Sequence, residues 1–256
     1  MSFQAESNGD GATLIVNTDG TVVASTNTNA TWLSLSDVKF LSATSSHGFT
    51  NLSMTNGWSN RAASADDPRL AYAKDAIGRY FVRGTITGGT SDDNTVIATL
   101  PADAASQYHH IAVRSGGGGN NVVGVNTTRN IVAKGVGVGS AYFLDFMFLP
   151  NSYTGTWNNM TFQNSWGNRG GFTNGQYTKS SDGIVTLRGL ISGGSAGTVI
   201  TTLPAGYRPD AKLISAAVCA SANCRIDINP NGQVVAQTNA SSNWTSLDRI
   251  SFYADQ

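Results

Sequence analysis

Residues 49–61 of this 256-residue chain, FTNLSMTNGWSNR, return at 157–169 as WNNMTFQNSWGNR. A period of this kind dictates architecture before any local signal does, because each copy must fold in the same way. The alignment pairs Phe49 with Trp157, Leu52 with Met160, Trp58 with Trp166 and Arg61 with Arg169. After short gaps, Tyr72 and Lys74 match Tyr177 and Lys179, Arg83-Gly84 matches Arg188-Gly189, and Leu100-Pro101 matches Leu203-Pro204. The module thus recurs roughly every 105 residues. Its second half occurs a third time: TLIVNTDGTVVA at 13–24 matches CRIDINPNGQVVA at 224–236 and, more faintly, VVGVNTTRNIVA at 122–133. Trp32, Leu35, Val38 and Phe40 then repeat as Trp244, Leu247, Ile250 and Phe252. The order is a half-module over 1–45, a module over 46–150 and a module over 151–256.

Each module reads as strand. IVTLRGLI alternates and is rich in β-branched residues, TVITTL follows the SGGSAG turn cluster, and RIDINPNGQVVA is two alternating runs joined at Asn231-Gly232, a hairpin signal. The middle copy carries Arg129 where the others have glycine, so its turn is expected to differ, since arginine is strained at positive φ. On IVTLRGLI, Ile184, Thr186 and Arg188 are expected on one face. Val185, Leu187 and Leu190 are expected near the other, with Gly189 as a bulge. The chain has 29 glycines and Glu6 as its sole glutamate, a composition poor in helix formers. Some eight short strands per module predict an all-β fold of tandem β-sandwich or jelly-roll-like modules, two complete and one half, with no helix.

Sixteen basic and sixteen acidic residues balance to zero formal charge, which removes the electrostatic case for a nucleic-acid or anionic-membrane partner. No run approaches the roughly 20 apolar residues of a membrane span, and the opening MSFQAESNGD lacks the features of a signal peptide. Membrane insertion and Sec export are not expected.

Chemical constellations are weak. His109 and His110, in SQYHHIAV, are adjacent on an expected strand and so face opposite sides, a poor arrangement for one metal ion. Tyr108, His109 and His110 at a loop edge are the candidate ligand contacts, against the plainer reading of ordinary packed and solvated rings. The aspartates sit mostly in turns such as Asp92-Asp93 and Asp182-Gly183, where turn chemistry accounts for them. No catalytic residue, metal site or cofactor motif emerges, and SGGGGNN at 115–121 reads as a hairpin tip. Cys219 and Cys224 flank ASAN, where a four-residue hairpin loop would set them opposite each other. A disulfide and a pair of half-buried thiols are equally compatible with that spacing, and either way the pair is expected to be dispensable. The repeated Trp58 and Trp166 read as core, and Arg83 and Arg188 as bonded to nearby backbone or a neighbouring subunit.

Residues 157–254, with NSWGN, QYTKSSDGIVTLRGLISGG, TVITTLPAGYRP, RIDINPNGQVV and NWTSLDRISFYA, resemble a module near the C-termini of bacteriophage tail-fibre and minor-tail proteins, notably of phages of actinobacteria and other Gram-positive hosts. The middle module keeps NGWSN, FVRGTITGG and VIATLPA but lacks GYRP and has Ala141 where Trp244 stands. The resemblance implies a non-enzymatic virion surface protein, assembled in the host cytoplasm. It would be of tail-fibre or tail-tip type, bind host-surface glycans, and form a homo-oligomer, a trimer being expected, with other virion proteins as partners. A capsid decoration or head-fibre protein is the alternative, since these residues contain no coiled-coil or collagen-like shaft. Half a module cannot cover its own apolar face. Leu14, Val16, Val22, Trp32, Leu35 and Phe40 are therefore expected to be buried against the adjoining module, against sister subunits, or against strands donated by another virion protein. Sister subunits are the expectation.

Overall fold

A computed structural model describes residues 2–7, 10–17, 19–26, 34–36, 38–39, 48–61, 67–115, 120–134, 141–220, 222–238 and 240–254. Among them the chain is all-β: several antiparallel sheets, one curled into a half-barrel, with a single 3-10 turn at Ala102–Ala104 and no α-helix. Contacts divide it into two compact units, one built around Val38–Tyr153 and the other around Thr154–Gln256. Met1–Gln4 and Thr13–Asn27 join the first, and Ala5–Ala12 and Thr28–Asp37 the second.

The opening segment forms a three-stranded sheet of β1 (Ser2–Ser7), β2 (Asp10–Val16) and β3 (Val22–Thr26) in that order. The first unit then supplies β4 (Thr50–Asn51), β5 (Trp58–Asn60), β6 (Ala71–Lys74), β7 (Tyr80–Gly88), β8 (Val96–Thr99), β9 (His109–Ser115), β10 (Asn120–Val125), β11 (Asn130–Ala133) and β12 (Tyr142–Phe148). These form a nine-stranded sheet in the order β4-β6-β7-β12-β9-β10-β11-β8, with β5 on β7.

The second unit continues with β13 (Asn158–Asn159), β14 (Gly167–Asn168), β15 (Gln176–Lys179), β16 (Ile184–Arg188), β17 (Leu190–Ser192) and β18 (Val199–Thr202). It ends with β19 (Leu213–Cys219), β20 (Ala222–Ile228), β21 (Gln233–Ala236), β22 (Thr245–Ser246) and β23 (Ser251–Tyr253). Here there are two sheets, β13-β15-β16-β23 and β14-β17-β22-β19-β20-β21-β18.

The two orders are one topology. Strand β7 corresponds to β16 plus β17, and β12 to β22 plus β23, so that breaking two long strands turns one sheet into two. The cause is a single extra residue. In the first unit Asp145 pairs directly with Arg83. In the second, Leu247 N–H donates to Gly189 O and Leu187 N–H to Ile250 O, which leaves both Asp248 and Arg249 opposite Arg188. Arg249 takes φ +82 and Gly189 φ +111, and two residues facing one part the ladder as a bulge does. The surplus residue lies on the partner strand, so alternation through Gly189 is unshifted. Ile191, not Leu190, joins Val185 and Leu187 in the core cluster, contrary to the expected face assignment.

Five hairpins share one closure. Asn17, Asp75, Asn126, Ser180 and Asn229 each donate N–H to the carbonyl four residues on, and each accepts from the N–H three residues on. That third residue has positive φ in every case: Gly20, Gly78, Arg129, Gly183 and Gly232. The loop is therefore three residues long, closed by a residue in the left-handed region, rather than the two-residue turn that Asn-Gly suggests. The expectation that Arg129 changes the turn is not met, for Arg129 adopts φ +70 within the same hydrogen bonds.

A second difference between the modules explains how. In the last module Arg208, from the GYRP turn, donates Nε–H to Leu203 O at 2.9 Å, and Gly232 lies beneath it. The middle module lacks GYRP, and Arg129 reaches the matching carbonyl, Leu100 O, with Nη1 at 3.4 Å. One guanidinium serves one carbonyl in each module, from the loop itself in the first and from the GYRP turn in the second. Gly232 has no room for a side chain, since a Cβ there would collide with Leu203 O and meet Arg208 Nε at 2.8 Å, whereas a Cβ on Gly20 meets nothing within 4 Å. Gly20→Ala is expected to cost only the left-handed backbone strain, about 1–2 kcal/mol. Gly232→Ala should cost clearly more by urea unfolding, and equal midpoints would contradict the assignment.

The repeated tryptophans and glycines form one packing unit. Trp58 and Trp166 are 6% and 5% exposed and belong to the two hydrophobic clusters. A Cβ on Gly89 or Gly194 would collide with the Trp58 or Trp166 indole, so the second glycine of each GG pair is the surface on which the ring lies.

Candidate functional site

Of the three expected ligand contacts, Tyr108 and His110 lie together and His109 turns to the other face. His109 and His110 pair with Val125 and Gly124 on β10 and point to opposite faces of β9. Both are buried, His109 beside the Phe148 ring at 5.7 Å and His110 beside Tyr108 at 4.9 Å. Tyr108 lies over Gly124, where a Cβ would come within 2.9 Å of its hydroxyl, and donates to Asn94 Oδ1 at 3.1 Å. Lys134 sits 5.4 Å above the Tyr108 ring and pairs with Asp93 at 2.8 Å. The two histidines thus pack on opposite faces of β9, with Tyr108 beside His110.

Cys219 and Cys224 are disulfide-bonded with Cα atoms 5.7 Å apart. They are not opposite each other, because the ladder runs on to Cys219↔Ala222 and pairs Cys224 with Ala217. The sulfurs therefore meet on a diagonal of one face, which strand twist closes. Both are buried in the core cluster, with the Thr245 hydroxyl 3.1 Å from Cys219 Sγ. A double serine variant would bury two hydroxyls, at about 1–3 kcal/mol for each left unpaired, whereas a double alanine variant tests the bond itself. The bonded loop spans only five residues of separation and constrains the unfolded chain little. The alanine pair should remain soluble and melt above the serine pair, and the reverse order in a thermal melt would contradict this.

The repeated arginines lie under aromatic rings, which sequence reasoning missed although it had aligned all four residues. Arg83 Cζ is 3.7 Å from the Phe49 ring centre and Arg188 Cζ is 3.7 Å from that of Trp157. Arg188 also donates to Gln176 Oε1 from Nε and Nη2, at 2.9 and 2.6 Å. Burial pushes Arg188 down to about 10, with Asp248 opposing, and it pushes Arg83 in the same direction, with Asp145 opposing. Both remain cations at neutral pH, held against a π face and an acidic neighbour. The glycine that follows each arginine lets the chain before β6 or β15 cross close by. A Cβ on Gly84 would meet Leu70 Cα at 2.6 Å, and one on Gly189 would collide with Asn174 O. The motif Arg-Gly is thus spent on scaffold.

What remains open is the opening hairpin. Its register, Leu14↔Ala24, Ile15↔Val23 and Val16↔Val22, is that of Ile226↔Ala236, Asp227↔Val235 and Ile228↔Val234, and again of Val123↔Ala133, Gly124↔Val132 and Val125↔Ile131. The three hairpins superpose residue for residue in pairing, but their surroundings differ. Val234 and Ile131 are 0% exposed, yet the equivalent Val22 is 55% exposed. Leu247 and Leu144 are fully buried, yet Leu35 is 56% exposed. Ala24 is exposed where Ala236 and Ala133 are core. Leu14 is buried as expected and Val16 half-buried, whereas Trp32 and Phe40 lie outside the described residues. The Ser34 hydroxyl donates to Ile214 O at 2.7 Å, a link to the last module. Module-core positions therefore face solvent on β3. No family model, curated protein or solved structure matches the chain.

Proposed function

We propose that this chain is a non-enzymatic bacteriophage virion surface protein of tail-fibre or tail-tip type, built from tandem β-sandwich-like modules that bind the host envelope through its glycans. The observation that supports the reading is the duplication itself. The residues common to both modules are consumed by turns, ring packing and close backbone crossings. Such a unit is a rigid scaffold whose diverging loops are free to carry recognition. Repeating it raises avidity for weakly held, repetitive ligands such as surface glycans, and homo-oligomers raise it further. The open hairpin at the start of the chain is the attachment end.

Immunogold labelling of intact particles with antibody to the chain is expected to decorate tails. Label on heads alone would instead select the capsid-decoration reading, and no label would end both. The isolated protein is expected to scatter light as a trimer and to adhere to host envelopes. A particle with the mass of one 26.8 kDa chain would remove the trimer.

A further inference from the structure

The complete modules define what belongs on the open edge of β3. In each, the strand equivalent to β3 is flanked by one more antiparallel strand, β8 on β11 and β18 on β21. The backbone bonds are the same in both. Ala133 N–H donates to Thr95 O and accepts at its carbonyl from Asn94 N–H, while Arg129 O accepts from Leu100 N–H. Correspondingly, Ala236 N–H donates to Thr198 O, Ala236 O accepts from Gly197 N–H, and Gly232 O accepts from Leu203 N–H. Identical hairpin register carries this pattern to Ala24 N–H, Ala24 O and Gly20 O. Among the described residues β3 ends its sheet, and no strand lies along that edge.

We propose that the β3 edge is an acceptor site for one extended strand of a separate partner chain, added antiparallel in the register of β8 and β18. The chemistry of the occupant follows from the two strands already seen in that position, TVIATL at 95–100 and TVITTL at 198–203. It is rich in the β-branched residues Thr, Val and Ile, ends on leucine, and places an isoleucine toward the face where Val22 and Ala24 are bare, as Ile97 and Ile200 are placed in the two cores. A second copy of this chain is a poor donor, because its own β8 and β18 are already paired and would have to leave a complete module. The donor is therefore a chain that bears this strand without the hairpin that would complete it, and strand addition supplies both the backbone bonds and the missing cover. The inference rests on the internal duplication and not on the virion assignment, so a failed labelling experiment leaves it standing.

The test uses the full chain and a fluorescent peptide of residues 195–205, SAGTVITTLPA, read by anisotropy and by hydrogen exchange at the Ala24 amide. The peptide is expected to bind and to slow exchange at Ala24. A peptide carrying Gly197→Pro and Leu203→Pro lacks the two donors and should bind at least tenfold more weakly. In the chain, Ala24→Pro removes only the outward N–H, since the inward ladder of β3 runs through its neighbours, and it should weaken binding by a similar factor. A parental melting curve for that variant shows that the modules are intact. The proposal falls if the peptide does not bind, or if it binds the Ala24→Pro chain equally well. It also falls if the Ala24 amide is already protected in the free chain by self-association.

Discussion

Gly189→Ala is expected to cost more than about 4 kcal/mol and to leave the last module marginal, a loss in the exceptional range for one added methyl group. Two penalties combine. The residue sits at φ +111, where an L side chain is strained by about 1–3 kcal/mol. The added Cβ would also collide with the Asn174 carbonyl, and that backbone cannot withdraw cheaply. It is pinned on both sides by Leu190 N–H to Thr173 O at 3.0 Å and by Met160 N–H to Gly175 O at 3.0 Å. Gly183→Ala is the control. It has φ +87 but its Cβ meets only Tyr253, at 3.7 Å, so its cost is the backbone strain alone, about 1–2 kcal/mol. Urea unfolding followed by tryptophan fluorescence separates them. Coincident midpoints would mean that the crossing, and with it the reason for the repeated Arg-Gly, has been misread.

The second large effect is at the tryptophans. Trp166→Ala and Trp58→Ala are each expected to lose about 3–5 kcal/mol, because each removes a buried indole from a core and leaves a cavity against a glycine that cannot fill it. The phenylalanine variants should differ from one another. Trp166 Nε1–H donates to the Thr198 hydroxyl at 2.9 Å, whereas Trp58 Nε1 is buried without a partner among the described residues. An unpaired buried donor costs about 1–3 kcal/mol. Trp58→Phe relieves that cost and offsets part of its lost volume, while Trp166→Phe gives up the indole bond to Thr198, whose hydroxyl keeps only its own bond to Ser195 O, at 2.6 Å. Chemical denaturation should therefore rank Trp58→Phe as the milder change, and equal losses would show that the indole bond to Thr198 contributes nothing.

Much of the fold was legible because a repeat aligns positions that share one structural role. Trp58 with Trp166, Arg83-Gly84 with Arg188-Gly189, and the two GG pairs were all visible as matches. Their roles were only partly visible, since an alignment states that two residues correspond and not what they touch. Arg83 over Phe49 and Arg188 over Trp157 join residues far apart in the chain, and only the sheet order sets β7 and β16 one strand away from the segments that carry those rings, across β6 and β15. The same limit affected the turn at Arg129. Local propensity disfavours arginine at positive φ, but the bond to Leu100 O that accompanies it is tertiary. It also affected strand β1, which precedes the recognised repeat and fills the place of β9 and β19 in the other copies.

The candidate ligand trio fared differently. Adjacency of His109 and His110 correctly implied opposite faces, but nothing in their spacing indicated that both faces are covered, which depends on the strands packed to either side. Likewise the cysteine spacing permitted a bond without fixing the loop, and the ladder placed the sulfurs on a diagonal.

By itself the sequence determined the all-β class and the repeat, because these follow from side-chain period and from matching residues along the chain, whereas the three-residue hairpin loops and their registers came from the ladder. The tertiary structure alone decided that one inserted residue, Arg249, splits a nine-stranded sheet into two, and that the first hairpin leaves its core positions open. Both outcomes depend on which strand lies alongside. Strand neighbours are chosen by burial and hydrogen bonding across the whole module, a sum that no local pattern contains.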